Sequence, residues 1–159
     1  MNNKIAPIVL GRSFLLEDGD FVFEQGAANL RDFKFVAGRD NLVQGLKVMI
    51  ETGFGSDAFN VNYGLDVKAI FTTAQTTRSA KDLIRLNLVK SISQDDRVTL
   101  IKEVVFDDDP RYYELLPAEN ATEHTQTRQN ARQWQALVVM QTIAEGEVAL
   151  RLEGTGLTT

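Results

Sequence analysis

Apolar positions recur along this chain with two different periods, and the change from one to the other predicts the order of its elements. In residues 13 to 23, SFLLEDGDFVF, two apolar runs flank Asp18-Gly19. That dipeptide tolerates the positive backbone angles of a tight turn, so the pattern predicts a β-hairpin. Further on, Leu42, Leu46, Met49 and Ile50 fall on one face of a helix that Asp40 or Asn41 can cap and Gly53 can stop. A polar, turn-rich stretch, DAFNVNYGLDV at 57–67, reads as a loop. Thr77 or Ser79 then opens a second helix, with Ala80, Ile84, Leu88 and Ile92 facing inward and Arg78, Lys81, Arg85 and Lys90 in water.

Beyond Arg97 the period shortens to that of strands. RVTLIKEVVF places Val98, Leu100, Val104 and Phe106 on one face and Ile101 and Val105 on the other, so both faces need cover. WQALVVMQTIAEGEVALRLEG reads as two strands joined near Glu145-Gly146, with Val138 and Met140 facing one way and Leu137, Val139 and Ile143 the other. The expected fold class is α+β. Two amphipathic helices pack on a small, mostly antiparallel sheet, with residues 1–37 as an N-terminal hairpin extension and 38–159 as the main part of a single domain. A strand as apolar as Trp134–Ile143 needs burial on both faces, by the N-terminal hairpin or by a partner protein. Residues 107 to 132 are long for a hairpin connection, which points to a functional insertion or local disorder.

Composition narrows the function classes. The chain has 159 residues and a net charge of -5, enough for one core and poorly suited to a phosphate backbone, because its 17 basic residues are scattered. No nucleic-acid partner is expected. Cysteine is absent, which removes disulfides, thiolate metal sites and a cysteine nucleophile. MNNKIAPIVLG is too short for a signal-peptide core and no stretch has the length of a membrane span, so a cytoplasmic protein without a membrane partner is expected.

Candidate chemistry is sparse. His124 is the sole histidine and reads as a solvated loop residue. Asp107, Asp108 and Asp109 lack the alternate spacing of a calcium loop and read as a solvated acidic turn ending a strand. Asn120-Ala121-Thr122 fits the glycosylation acceptor pattern but follows no export signal. Neither glycine-rich phosphate motif occurs. A carboxylate pair for glycoside hydrolysis can always be drawn from 22 acidic residues, so its availability argues nothing. No cofactor or metal is expected.

The order of elements carries more information. Residues 38 to 106 contain the helix DNLVQGLKVMIET, the glycine turn GFGS, the aromatic-glycine pair Tyr63-Gly64 followed by Leu65, a second helix, and then Asp95-Asp96-Arg97 leading into a strand. This succession resembles the small baseplate wedge family, also called baseplate assembly protein W or lysozyme-like wedge protein, of contractile phage tails, type VI secretion and extracellular injection systems. The family usually has Glu-Pro-Arg where this chain has Asp95-Asp96-Arg97, and a proline and an acid where Val61 and Asn62 stand. The resemblance implies a structural protein without catalysis, repeated around a six-fold axis. It implies that Asp95, Asp96 and Arg97 dock on the wedge core bundle beside Tyr63 and Gly64. It also implies that the C-terminal hairpin, through Trp134, Val138, Val139, Met140 and Leu150, meets the tail sheath and starts its assembly by strand pairing. Other wedge proteins, the sheath subunit and hub or spike proteins are the expected partners, in the cytoplasm during assembly and then in the finished particle. Read from the residues alone, Asp95 and Asp96 simply end a helix and Arg97 forms a surface ion pair. A small lysozyme-like hydrolase and an unrelated protein-binding module are the alternatives.

Overall fold

The computed structural model describes residues 9–26, 30–66, 70, 72–73, 76–117, 133–144 and 146–155. His124 and Asn120 lie outside these residues, as does most of the 107–132 connection. The fold is mixed α+β. Among the described residues it has more parts than the sequence pattern suggests: three helices and four small antiparallel sheets.

The N-terminal part is built from three short two-stranded arms. Strand β1 (Arg12–Phe14) pairs with β6 (Phe35–Ala37), β2 (Leu16–Glu17) with β3 (Asp20–Phe21), and β4 (Phe23–Gln25) with β5 (Arg31–Phe33). The hairpin read from Asp18-Gly19 is the β2–β3 arm, and both turn residues have positive φ (52° and 87°), as a type I′ turn requires. The arms meet at Leu15, Val22 and Lys34. There the Leu15 N–H donates to the Lys34 carbonyl at 2.8 Å, the Lys34 N–H to Val22 at 2.9 Å and the Val22 N–H to Leu15 at 3.0 Å. This closed cycle satisfies backbone groups that three diverging strands would otherwise leave unpaired.

Helix α1 (Arg39–Glu51) anchors these arms. Asn41, expected to cap the helix, instead turns inward and donates from Nδ2 to the Leu10 carbonyl at 2.9 Å, while Gly38 occupies the cap position. Gln44 works as a substitute strand neighbour. Its Oε1 accepts from the Leu16 N–H at 2.9 Å, and its Nε2 donates to the Phe14 carbonyl at 2.8 Å. Helix α2 (Thr77–Ile92) begins with a reciprocal cap in which Thr76 and Ser79 each bond the other's backbone N–H. Lys81 and Arg85, expected in water, reach across to β7 (Val98–Phe106) and the turn that follows it. Lys81 pairs with Asp108 at 2.8 Å and Arg85 Nε donates to the Val104 carbonyl at 3.2 Å, with both cations near the Phe106 ring.

Three strands, β7 (Val98–Phe106), β8 (Gln133–Thr142) and β9 (Glu147–Thr155), form the main sheet in that order, with β8 in the centre. Register shifts between Val98 and Leu100 and between Ile101 and Glu103 insert extra residues into β7. They break the simple alternation read from the sequence: Ile101 joins Val104 and Phe106 on the helix-facing side, while Leu100 is exposed. The main core unites that side with Leu42 and Leu46 of α1 and Ile84 and Leu88 of α2. A second cluster on the opposite side holds Val105, Leu137 and Val139 against Tyr112. Tyr112 belongs to α3 (Pro110–Leu115), a short helix within the stretch read as insertion or disorder. It starts at Asp109, whose carboxylate accepts from the Arg111 N–H at 2.9 Å, and Asp107 is buried where a solvated acidic turn was expected. The chain's own helices therefore cover both faces of β8, so neither the N-terminal arms nor a partner is needed for that burial.

Candidate functional site

A single cluster gathers the loop and the turn that the sequence singled out. After α1, the Thr52 carbonyl accepts from the Leu65 N–H at 2.9 Å and the Leu65 carbonyl accepts from the Phe54 N–H at 3.0 Å, which folds 57–65 back on the helix end. Gly64 sits between them with φ 105°, and a Cβ there would stand 2.5 Å from the Thr52 oxygen and 2.9 Å from the Gly53 carbonyl carbon. Only glycine fits. The Gly64 carbonyl in turn accepts from Ser91 Oγ of α2 at 2.9 Å, so one residue joins the loop to both helices.

Tyr63 packs against the main core, and its phenol lies within electrostatic reach of the Asp95–Arg97 turn. Burial raises its phenol above the ordinary value, the Asp95 and Asp57 carboxylates push it the same way, and Arg97 opposes them. Asp95 and Arg97 form a two-pronged pair, with Nε to Oδ1 at 2.8 Å and Nη2 to Oδ2 at 2.6 Å. Burial pushes the Asp95 carboxyl up, but the two Arg97 donors and the positive charge outweigh it, so its pKa falls below the usual carboxylate value. The same bonds raise the Arg97 guanidinium despite partial burial. Arg97 also donates from Nη1 to the Leu10 carbonyl at 3.2 Å and comes close to Gly45, where an added Cβ would stand 3.2 Å from Nη2. Its own carbonyl accepts from the Ile143 N–H at 3.0 Å. Arg97 thus ties the N-terminal segment, α1 and the β8–β9 connection to the end of α2. The simple surface ion pair is the wrong picture for this residue, whereas Asp96 beside it is exposed.

Beside this cluster the loop presents apolar side chains that the sequence reading passed over. The Asp57 carboxylate accepts from the N–H groups of Phe59 and Asn60 at 2.8 and 3.2 Å, a local turn that fixes the loop from within. Phe59 and Val61 project from it at 102% and 61% exposure. A phenylalanine inside a stretch of Asn, Asp and Gly was the available signal, since nothing nearby could bury it.

The residues expected to face a sheath are placed otherwise. Val138, Met140 and Leu150 lie fully in the main core with Trp134, and Val139 lies in the second cluster. Strand β8 has neighbours on both sides and offers no edge. The free edges, among the described residues, belong to β7 and β9. β7 carries two bulges, whereas β9 pairs in unbroken register from Glu147 to Thr155 and so keeps a regular outer edge. Gly154 supports that regularity, because the Trp134 indole occupies the space of its missing side chain. A groove of about 310 Å³ lined by Lys47, Ile50, Arg151 and Leu152 separates α1 from the end of this strand.

No protein-family model matches the chain, and no curated protein matches it significantly. Among the described residues no helix is long and apolar enough to cross a membrane, and no group of three or more His, Cys, Asp or Glu is placed to hold a metal ion.

Proposed function

We propose that the chain is a structural wedge component of a contractile tail or injection baseplate. It docks through the surface around Tyr63, Gly64 and the Asp95–Arg97 turn and templates the first sheath ring by strand pairing. The observation that carries the reading is the convergence of that loop and turn. The aromatic-glycine pair and the acid-x-Arg signature, separated in sequence by a whole helix, meet in one cluster. In this reading Arg97 and Asp95 set the backbone of the docking surface, while Asp96, Phe59 and Val61 reach the wedge core bundle. Two longer helices against a three-stranded antiparallel sheet suit the wedge-type layout that the resemblance implies. The templating element is the outer edge of β9, with Trp134, Val138, Met140 and Leu150 as the core that holds it straight.

A small lysozyme-like hydrolase, the alternative, needs one carboxyl held protonated in a dry site. Turnover of peptidoglycan that disappears when one glutamate is changed to glutamine would favour that alternative. The test of templating uses the absence of cysteine. Ala149→Cys on the exposed side of β9 should form a disulfide with a cysteine placed along the sheath subunit's exchanged strand. No cross-link along the whole strand would remove β9 from the interface.

A further inference from the structure

The three N-terminal arms display an aromatic face that the wedge reading does not use. Phe14, Phe21, Phe23, Phe33 and Phe35 form a continuous cluster, with ring centroids 4.8 to 5.8 Å apart, yet each remains 36% to 54% exposed. At about 200 Å² per side chain, the face leaves on the order of 450 Å² of phenylalanine surface in water, the range in which a patch marks a partner. The pairings Phe23–Phe33, Phe14–Phe35 and Leu16–Phe21 put these rings on one side of the arms. Strand alternation then sorts the charges by side. Arg12, stacked 4.0 Å over Phe35, and Arg31, paired with Gln25 beside Phe33, share the aromatic side. Glu17, Asp20, Glu24 and Asp32 alternate to the other side, where Lys34, between Phe33 and Phe35, is the one cation among them. A chain with net charge -5 thus shows one locally basic, aromatic surface.

From this charge sorting we infer that the aromatic face is a docking site for an acidic segment of another protein, one carrying apolar side chains flanked by carboxylates. A second copy fits poorly. A stable protein pair commonly buries about 800 Å² per partner, well above this face, and a symmetric pairing would bring like arginines together. The inference stands apart from the contractile-tail reading, because it uses none of the residues near Tyr63 or β9.

The test titrates the full-length, isotope-labelled chain with two short amphipathic peptides that share a leucine-rich face and carry glutamates or lysines on the other. The glutamate peptide should bind at least about tenfold more tightly at low salt, with chemical-shift changes confined to the arms, and lose that advantage at high salt. Arg12→Glu with Arg31→Glu, which removes no core side chain, should reverse the preference. Phe21→Ser with Phe23→Ser should weaken binding by about tenfold or more. Equal affinity for the two peptides, absence of binding, or indifference to the arginine reversal overturns the proposal. Concentration-dependent dimerisation abolished by Phe21→Ser would assign the face to a second copy, and binding to anionic vesicles in place of the glutamate peptide would assign it to lipid; either overturns the proposal too.

Discussion

Replacing Gly64 with alanine tests the geometry of the loop cluster most sharply. A non-glycine residue held at φ 105° stores roughly 1–3 kcal/mol of backbone strain. The added Cβ would also lie 2.5 Å from the Thr52 oxygen, a group already fixed by its bond from the Leu65 N–H. Relieving that contact costs a further 1–3 kcal/mol, roughly the penalty of overpacking, because the obstacle is backbone and cannot rotate away. The sum, about 2–6 kcal/mol and centred near 4, is a large share of the 5–15 kcal/mol that typically holds a domain folded. For a chain of this length it corresponds to a fall in Tm of about 10 °C. Urea unfolding followed by far-UV circular dichroism and by Trp134, the single tryptophan, measures it directly. Ser91→Ala is the companion variant. It removes only the bond to the Gly64 carbonyl and should cost about 1 kcal/mol. A Gly64→Ala loss below about 1 kcal/mol would mean that the loop is not held in this conformation, and the argument for a rigid docking surface would fall with it.

Four further outcomes are expected. Arg97→Ala removes a paired, part-buried set of donors and should cost about 1.5–3 kcal/mol by chemical denaturation. Because the folded Asp95 pKa is lowered, its stabilisation is present at neutral pH and lost as the pH falls below the ordinary carboxylate value, so Asp95→Asn should flatten stability against pH in that acidic range. An unchanged acid profile in Asp95→Asn would refute this. Gly154→Val should drive the Trp134 indole out of its place and red-shift its emission, whereas Ala149→Val, on the exposed side of the same strand, should not; equal spectra for both variants would show that Gly154 is not needed. Phe59→Ser should leave stability within about 0.5 kcal/mol of the parent, since the side chain touches no core, while weakening capture of a wedge core-bundle protein. A loss of stability larger than that would place Phe59 in the fold and not at an interface.

The helices were legible because their apolar spacing is set locally: Leu42, Leu46, Ile84 and Leu88 all occupy the core that their periodicity assigns them. The β2–β3 turn was legible for the same reason, since Asp18-Gly19 carries its own backbone preference. The three-armed N-terminal sheet was not. Its defining bonds join Leu15, Val22 and Lys34, residues whose side chains advertise nothing. The alternating Phe33-Lys34-Phe35 was the one cue to its last strand. Bulges in β7 hid the side assignment of Ile101 and Leu100, because an extra residue changes the alternation without changing the residue types. Cover for β8 was sought in the N-terminal arms or a partner because α3 is a single short helix, below the length at which periodicity speaks. At the candidate site, sequence brought forward Tyr63, Gly64, Asp95 and Arg97, but the reach of Arg97 to Leu10 and Gly45 depends on packing between distant segments.

The central claim, that this chain is a wedge component of a contractile particle, is tested most directly by its presence in that particle. Contractile tails or injection particles purified from cells that encode the chain can be separated into baseplate, sheath and tube fractions and quantified by mass spectrometry. The account predicts the chain in the baseplate fraction, at a copy number per particle that is a multiple of six and therefore in a small whole-number ratio to the other wedge proteins. Absence from purified particles, while the chain is abundant in the same cells, would contradict it.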